Sequence, residues 1–377
     1  MKITSKFYLP NLNSLRAIAA LMVIMCHLLE GQSRTIVFLG NFGSSGVTIF
    51  FVLSGFLITY LLLMEQKVFS KININAFYFR RILRIWPLYF LILFIAYVVI
   101  PYFIPEDHLI EMDRRSLKSF LMNVFFLTNF TLILKLTPLI IRVIWSIGIE
   151  EQFYIFWPWL IKMKEKKRNS LILLIIFFFP FSKLFFVLFE YYTGSNSLQI
   201  ISSIITVTRF DSMAIGGLFG ILAFCKKIDF GYFTIRYESV TSKKIQWGVY
   251  FSIFISYLIT FIYPSLFQII NYILHPCLFA ICIVNLATNS NSVLNIENNY
   301  MNYLGKISYG LYLIHQIVIY LVLARLKAFF KYDSVFLNYL LPYTITLAII
   351  VFISGILYKY YESPFFRLKN KYANIKT

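Results

Sequence analysis

Arg16 and His27 lie eleven residues apart in the first apolar stretch of the chain, which reads NLNSLRAIAALMVIMCHLLE. At about 100° per residue, eleven steps return to nearly the same helix face, with a rise of roughly 16 Å at ~1.5 Å per residue. A central arginine costs ~2.5–3.5 kcal/mol on membrane-insertion scales, so ionisable groups inside a bilayer usually serve a function. The alternative is structural, with Arg16 extending to one membrane surface and His27 marking the other.

Three arginines in the segment FYFRRILRIWPLY form a second group that could bind a ligand: Arg80, Arg81 and Arg84. Arg80 and Arg84 are four residues apart and therefore share a helix face. Pairs of guanidinium groups bind phosphate with two parallel hydrogen bonds. The alternative is an anchor at the cytoplasmic membrane surface, where Lys and Arg accumulate. Three arginines followed by Pro87 favour phosphate binding.

Two adjacent acids, Glu150 and Glu151, interrupt the apolar segment WSIGIEEQFYIFWP. Neighbouring residues on a helix point about 100° apart, so we expect one acid to meet an inward-facing cation and the other a second partner. Tyr154 lies at helical spacing from Glu150, which places Glu150 on the side that carries the chemistry. We expect Glu151 to pair with Arg209.

The segment RFDSMAIGGLFG combines two charges with two glycines. Arg209 and Asp211 come first and are candidates for substrate binding. Gly216 and Gly217 follow, and small residues of this kind permit close packing of membrane helices. We therefore expect a close helix crossing at the glycines.

A polar stripe follows the segment LGKISYGLYLIHQ, where Ser308, Tyr312 and His315 occupy positions i, i+4 and i+7. This spacing places the three side chains on one helix face. The stripe predicts either a hydrogen-bonded seam between helices or one wall of a channel.

Composition indicates the class of protein that must position these residues. The chain has 377 residues, of which 59% are hydrophobic and only 14% charged. Many windows of about twenty residues hold almost no charge, as in membrane-spanning helices. We predict an all-α polytopic transmembrane bundle of about ten spans, forming one domain over residues 1–377. The predicted spans are roughly 12–29, 46–64, 83–103, 142–161, 170–189, 211–225, 246–263, 268–288, 307–326 and 339–360.

Residues 119–134 are apolar but short and contain Asn and Thr, so we expect a re-entrant or interfacial segment there. Basic connections alternate with nearly Lys-free ones, which places both termini in the cytoplasm. Arg325, Lys327 and Lys331 are the exception, because this count puts them outside. Either a span is miscounted or these three residues meet an acidic or phosphorylated partner.

The net charge of +19, from 35 basic and 16 acidic residues, fits cytoplasmic loops and anionic lipid headgroups. We expect no nucleic-acid binding. The four cysteines lie in or beside apolar segments without a CxxC pair, so we expect neither a disulfide framework nor a metal site.

Taken in chain order, these segments resemble the acyltransferase-3 family of integral-membrane O-acyltransferases, which modify bacterial surface glycans. The resemblance covers nearly the whole chain in six or seven ordered blocks, from LNSLRAIAALMVIMCH to YYESPFFRL. The family's arginine and histidine, ten residues between them, fall on Arg16 and His27. Its arginine pair falls on Arg81 and Arg84, and its glutamate on Glu150 or Glu151.

One position departs from the family pattern, because Asn13 stands where relatives often carry an acid. We expect this change to alter the orientation of Arg16 without removing activity. Some relatives also carry a soluble esterase-like domain after the last span, and we expect none appended here. Any such periplasmic or extracellular transferase partner would be a separate chain.

The resemblance implies transfer of an acyl group, expected to be acetyl, from cytoplasmic acyl-CoA to a hydroxyl of a surface or lipid-linked saccharide. It implies no permanently bound cofactor. It also implies a multi-pass protein of the bacterial inner (cytoplasmic) membrane, surrounded by membrane lipid. The donor would be acetyl-CoA or another acyl-CoA.

Roles follow from this resemblance for each candidate residue. His27 would act as general base or as transient acyl acceptor. Glu150 or Glu151 would hold the tautomer of His27, as in a catalytic triad. Arg16, Tyr312 or His315 would polarise the thioester carbonyl. The CoA phosphates would be bound by Arg81, Arg84 and Arg80. Contacts with the substrate are expected from Tyr312, His315, Ser308, Arg209 and Asp211.

The main alternative function is a secondary transporter or polysaccharide exporter, in which polar groups from several spans line a translocation path. Neither paired half-helices nor an internal repeat supports that alternative. A third possibility is a non-catalytic scaffold for an assembly complex. Consumption of acyl-CoA separates the enzyme from the transporter, because a transporter leaves the thioester intact.

Overall fold

The structure, a computed structural model, describes residues 8–29, 34–103, 116–195, 197–231, 233–329 and 340–371. It is built almost entirely of helices. In chain order they are α1 (Leu12–Leu28), α2 (Arg34–Phe69), α3 (Ile74–Phe103), α4 (Leu117–Val124), α5 (Thr128–Ile133), α6 (Trp145–Ile161), α7 (Glu165–Thr193), α8 (Gln199–Val207), α9 (Phe210–Cys225), α10 (Glu238–Thr241), α11 (Lys243–Ile262), α12 (Pro264–Thr288), α13 (Asn299–Lys306), α14 (Ser308–Lys327) and α15 (Leu341–Lys369).

A 3₁₀ segment and a two-stranded hairpin complete the elements of the described residues. A 3₁₀ segment, Leu139–Ile144, leads directly into α6. The strands β1 (Lys227–Asp229) and β2 (Thr234–Arg236) form a small antiparallel hairpin between α9 and α10.

Eight stretches of the described residues are helical, long and apolar enough to cross a membrane: α2 from Phe42, α3, α7, α8 with α9, α11, α12, α14 and α15. The helices α1 and α6 have 17 residues each, close to the shortest length that spans a bilayer. Each of the ten predicted spans therefore coincides with a helix, and the predicted class of polytopic helical bundle is confirmed.

One boundary that differs from the prediction and bears on the site is the start of α3, which begins at Ile74 and not near residue 83. The side chain of Asn73 accepts a hydrogen bond from the Ala76 backbone N–H at 3.0 Å and so caps the helix. As a result Arg81 and Arg84 lie well inside the helix, where their side chains can face the bundle.

The segment before α6 does not form a membrane span, in agreement with the prediction for residues 119–134. Helices α4 and α5 contain eight and six residues, too few to cross a hydrocarbon core of about 30 Å. Their buried polar side chains bond to each other: Thr131 donates to Asn123 at 2.9 Å, and Thr137 donates to Thr131 at 2.7 Å. This internal bonding allows a polar, irregular segment to pack inside an apolar bundle.

The tightest helix crossing in the bundle joins α2 to α9 at glycines. A Cβ atom added to Gly216 would lie 1.9 Å from the carbonyl oxygen of Val52, and one added to Gly55 would lie 1.9 Å from that of Met213. Because the added Cβ atom would meet backbone in both cases, a larger side chain would require a shift of a whole helix. The close packing predicted for the glycines of this segment is confirmed.

We expect Gly216→Ala to destabilise the fold, because the new methyl group forces α2 and α9 apart. Overpacking of this kind typically costs ~1–3 kcal/mol. The measurement is the midpoint of thermal unfolding in detergent. Gly248→Ala is the matched control, since a Cβ atom there meets nothing within 4 Å. Equal midpoints for the two variants would contradict the close packing of α2 against α9 at Gly216.

Of the basic residues that the topology count placed outside, Lys327 lies beside α15. The ammonium group of Lys327 lies 4.8 Å from the ring centroid of Tyr343, and Arg325 donates to the backbone carbonyl of Leu321. Lys331 is outside the described residues. Lys327 therefore has a cation–π partner within the bundle.

Candidate active site

A cavity of about 90 Å³ lies inside the bundle between α1, α2, α3, α6 and α14. Polar groups from all five helices face it. Its polar lining consists of Arg16, Ser54, Arg81, Arg84, Ser146, Glu150, Tyr154, Ser308, Tyr309 and Tyr312. Residues predicted separately from four sequence blocks thus meet around one space.

The three arginines of this cavity have no acidic partner in hydrogen-bonding contact. Within the described part of the chain, Arg16, Arg81 and Arg84 form neither a hydrogen bond nor an ion pair with protein. The guanidinium carbon of Arg81 lies 5.5 Å from the ring centroid of Tyr154, a cation–π contact. Their hydrogen-bond donors are therefore available to a ligand.

Glu150 provides the carboxylate of the cavity. Its two oxygens accept hydrogen bonds from Ser54 at 2.9 Å and from Tyr154 at 2.7 Å. The predicted shared face of Glu150 and Tyr154 is confirmed. One carboxylate thus faces three guanidinium groups, which leaves the lining with an excess of positive charge.

A second cavity of about 60 Å³ lies next to the first and contains more basic groups. Arg81 and Arg84 line both cavities, while Arg80 and Lys369 line only the second. Arg80 forms an ion pair with the buried Glu65 at 2.9 Å. The two cavities therefore form a continuous basic region along α3, with Arg81 and Arg84 between them.

His27 lies near the end of α1, where another histidine is one of its hydrogen-bond partners. The Nε2 atom of His315 is 3.2 Å from Nδ1 of His27, and the ring centroids are 5.0 Å apart. We predicted that Glu150 or Glu151 would hold His27, and that prediction is wrong for the described residues. The physical reason is position: both glutamates bond to side chains of α2, α3 and α6.

Tyr312 connects the histidine pair with the cavity. Its ring lies 5.9 Å from the ring of His315, and its hydroxyl group contacts the hydroxyl of Ser146 at 2.7 Å. Ser308, one turn before it, also lines the cavity. The predicted stripe therefore runs from the cavity to His27, although His27 itself does not line the cavity.

Glu151 points away from the cavity, as expected for a residue next to Glu150. Its Oε2 atom accepts a hydrogen bond from the indole N–H of Trp86 at 3.0 Å. The predicted pairing with Arg209 is wrong, since Arg209 bonds to residues of α2, α9 and α12. Helix periodicity separates adjacent side chains but does not identify the neighbouring helix.

Arg209 and Asp211 lie in a separate buried cluster. Arg209 donates to the hydroxyl groups of Thr48 and Ser212 and to the backbone carbonyl of Asn271, at 3.3, 2.9 and 3.2 Å. Asp211 lies 3.8 Å from Lys183. Neither lines the two cavities described above.

Several groups that line the site were not predicted from the sequence. Ser54 and Ser146 are single hydroxyl residues within long apolar runs, a signal that was available. Lys369 lines the second cavity and was not among the predicted residues. Among the described residues, no three His, Cys, Asp or Glu side chains are grouped so that they could bind a metal ion.

The two adjacent glutamates make a direct comparison of positions possible. We expect Glu150→Gln to lower activity by about 10–100-fold, the effect of losing charge-assisted hydrogen bonds of ~1.5–3 kcal/mol. Glu151→Gln should lower it by less than this, because its side chain faces Trp86. The measurement is acyl transfer normalised to folded protein. A larger loss of activity in the Glu151 variant would contradict the assignment of this cavity as the active site.

Fold and cavity together define a polytopic helical membrane protein with a basic, partly enclosed ligand site. Residues 9–359 match the family described as Acyltransferase domain, Acyl_transf_3. The chain therefore belongs to the acyltransferase-3 family, and the predicted resemblance is confirmed. No solved structure matches the chain.

Three relatives indicate which branch of the family the chain is similar to. The peptidoglycan O-acetyltransferase OatA of Listeria monocytogenes is 31% identical over 186 residues, covering 46% of this chain and 28% of that protein. The putative peptidoglycan O-acetyltransferase YrhL of Bacillus subtilis is 38% identical over 156 residues, covering 40% and 23%. The O-acetyltransferase OatA of Staphylococcus aureus is 31% identical over 233 residues, covering 57% and 35%. The matched region thus spans about a quarter to a third of the length of these relatives.

Proposed function

We propose that the protein is a membrane-bound O-acyltransferase that moves an acyl group from acyl-CoA to a saccharide hydroxyl. Acetyl is the acyl group that we propose. The observation that carries this proposal is the set of three arginines that face one cavity without an acidic partner in contact. Family membership supplies the reaction class, and the cavity supplies a site for the donor.

The charge of the cavity favours a ligand that carries phosphate groups. Burial of a charge without a partner is costly, and one carboxylate cannot compensate three guanidinium groups. An anion that accepts bidentate hydrogen bonds would supply the missing charge. The phosphates of CoA meet this requirement at Arg81 and Arg84, with Arg80 and Lys369 in the adjoining cavity.

The order of residues along the bundle supports a direction for the donor. Phosphates would lie at Arg81 and Arg84, and the thioester would extend past Arg16 toward Tyr312. The ring of His315 contacts Tyr312, and His27 in turn contacts His315. There the imidazole of His27 would remove the proton of the acceptor hydroxyl or accept the acyl group transiently.

The acceptor and the membrane side are part of the same proposal. Two of the relatives carry the word peptidoglycan in their names, so peptidoglycan fragments are the first acceptors to test. Basic connections support cytoplasmic termini, a cytoplasmic donor and an inner-membrane location. Residues 1–377 would act as one domain, with membrane lipid around it.

Purified protein in lipid nanodiscs, supplied with radiolabelled acetyl-CoA and muropeptides, tests this function. We expect free CoA thiol and labelled ester to form together, and protein with His27→Ala to form neither. A transporter would leave the thioester intact. Failure of the wild-type protein to consume acetyl-CoA above the His27→Ala level would overturn the proposal.

A further inference from the structure

A groove with a volume of about 780 Å³ runs along the outer face of α15. The described residues that line it are all different from those that line the two cavities of the proposed active site. All of them belong to α15 except Tyr303, which lies on α13. Only 22% of the apolar window of α15 is buried inside the bundle, so the groove is a separate feature of the surface that faces the membrane.

Most of the groove is apolar and follows one face of α15. Its apolar side chains recur at intervals of three and four residues, as one face of a helix requires: Leu347, Ala348, Val351, Phe352 and Ile356. From Thr344 to Lys359 the lining extends over fifteen residues, which is about 22 Å at ~1.5 Å per residue. One leaflet of the hydrocarbon core is ~15 Å thick, half of ~30 Å. The groove is therefore long enough for a whole acyl chain.

One end of the groove is polar. Lys359 provides an ammonium group that lies 5.1 Å from the ring centroid of Tyr360 and forms no ion pair within the part of the chain that the structure describes. A Cβ atom added to Gly355 would lie 2.6 Å from the hydroxyl oxygen of Tyr303. Because Gly355 has no side chain, this hydroxyl group reaches the groove about one turn from Lys359. An ammonium and a hydroxyl group at the same end can both donate hydrogen bonds to an anionic oxygen.

The shape and charge of the groove define the class of ligand. A ligand must be apolar over most of its length and carry an anionic oxygen at one end. A zwitterionic lipid lacks the net charge, and a soluble phosphate lacks the chain. Anionic phospholipids have both, and they attract lysines close to the cytoplasmic membrane surface. The distribution of basic residues supports that side of the membrane for the end of α15 that carries Lys359.

We infer that this groove binds an acyl chain of an anionic glycerophospholipid of the cytoplasmic leaflet, with the lipid phosphate at Lys359 and Tyr303. A lipid carrier that presents a saccharide on the outer side would have its phosphate at the opposite end of the groove, where no basic residue lines it. The inference does not depend on the proposed acyl transfer, since no residue of the groove takes part in that reaction.

Photo-crosslinking of the full-length protein in phosphatidylcholine nanodiscs tests the site. A trace of phosphatidylglycerol or phosphatidylcholine, each with a diazirine in one acyl chain, is irradiated, and labelled peptides are located by mass spectrometry. We expect phosphatidylglycerol to label residues 344–356 about fivefold more than phosphatidylcholine does, the ratio that corresponds to ~1 kcal/mol for one lysine near the membrane surface. Equal labelling by the two lipids would overturn the inference.

Variants locate the two parts of the lipid. Lys359→Ala should bring the labelling ratio close to one, and Tyr303→Phe should lower it in part, because only the hydroxyl group is lost. Ala348→Trp should reduce labelling by both lipids, since it fills the apolar part of the groove from its exposed side. Lys244→Ala is the matched control, because it removes an exposed lysine at the start of α11. An equal fall of the ratio in Lys244→Ala protein would indicate a general charge effect and overturn the site.

Competition identifies the occupant. Unlabelled phosphatidylglycerol should reduce the labelling of residues 344–356, whereas the same concentration of a polyprenyl phosphate should leave it unchanged. Stronger competition by the polyprenyl phosphate would overturn the assignment to a phospholipid in favour of a lipid carrier. Labelling does not require acyl transfer, so either proposal can fail while the other stands.

Discussion

Replacing His27 with alanine should lower acyl transfer by ~10²–10⁴-fold, the usual effect of removing a general base. The side chain is only partly buried and bonds to His315 and to the backbone of its own helix, so it contributes little to packing. The folded fraction in the membrane should therefore stay close to that of the wild type. The loss should appear in kcat, because His27 lies beyond the cavity assigned to the donor phosphates.

The matched control is Met25→Ala, two residues earlier on the same helix. Met25 is 42% exposed and faces away from the site. Both variants are compared in nanodiscs, with folded protein quantified by size-exclusion chromatography and ester formation by radiolabel. Near-normal transfer by well-folded His27→Ala protein would remove His27 from the mechanism.

Arg81→Ala and Arg84→Ala should each raise KM for acetyl-CoA by about 10–150-fold, with a smaller effect on kcat. A charge-assisted hydrogen bond to phosphate contributes roughly 1.5–3 kcal/mol, and phosphate contacts position the donor without taking part in the chemistry. Lysine should restore only part of the affinity, because it lacks the planar pair of donors.

Comparison of acetyl-CoA with dephospho-acetyl-CoA identifies the phosphate that each arginine contacts. An arginine that binds the terminal phosphate should lose its discrimination between the two donors when replaced. Lys162→Ala serves as control, since it removes an exposed charge at the end of α6. Unchanged KM for acetyl-CoA in both arginine variants would contradict the assignment of the cavity to the donor.

The positions of the helices could be predicted from the sequence because the signal is local. Long apolar runs mark membrane helices by their length alone. Contacts within one helix could also be predicted, because residues four apart share a face. The hydrogen bond between Glu150 and Tyr154 is an example. The start of α3 was misplaced since its first two turns carry charges and lie outside the apolar window.

Contacts between helices were not predictable in the same way. His27 and His315 are separated by 288 residues, and periodicity identifies a face without identifying its neighbour. For the same reason Glu151 was assigned to Arg209, whereas its partner is Trp86. Arg209 was expected near the substrate, but polar groups of α2, α9 and α12 surround it. A single sequence contains no information that ranks these pairings.

The most direct test of the account is equilibrium binding of acetyl-CoA to protein that cannot consume it. In the His27→Ala background the donor stays intact, so a filtration assay with radiolabelled acetyl-CoA reports binding alone. We predict that His27→Ala protein binds acetyl-CoA and that adding Arg81→Ala and Arg84→Ala weakens binding by at least about tenfold, the effect of one lost charge-assisted contact. Equal affinity with and without the two arginines would show that this cavity is not the donor site.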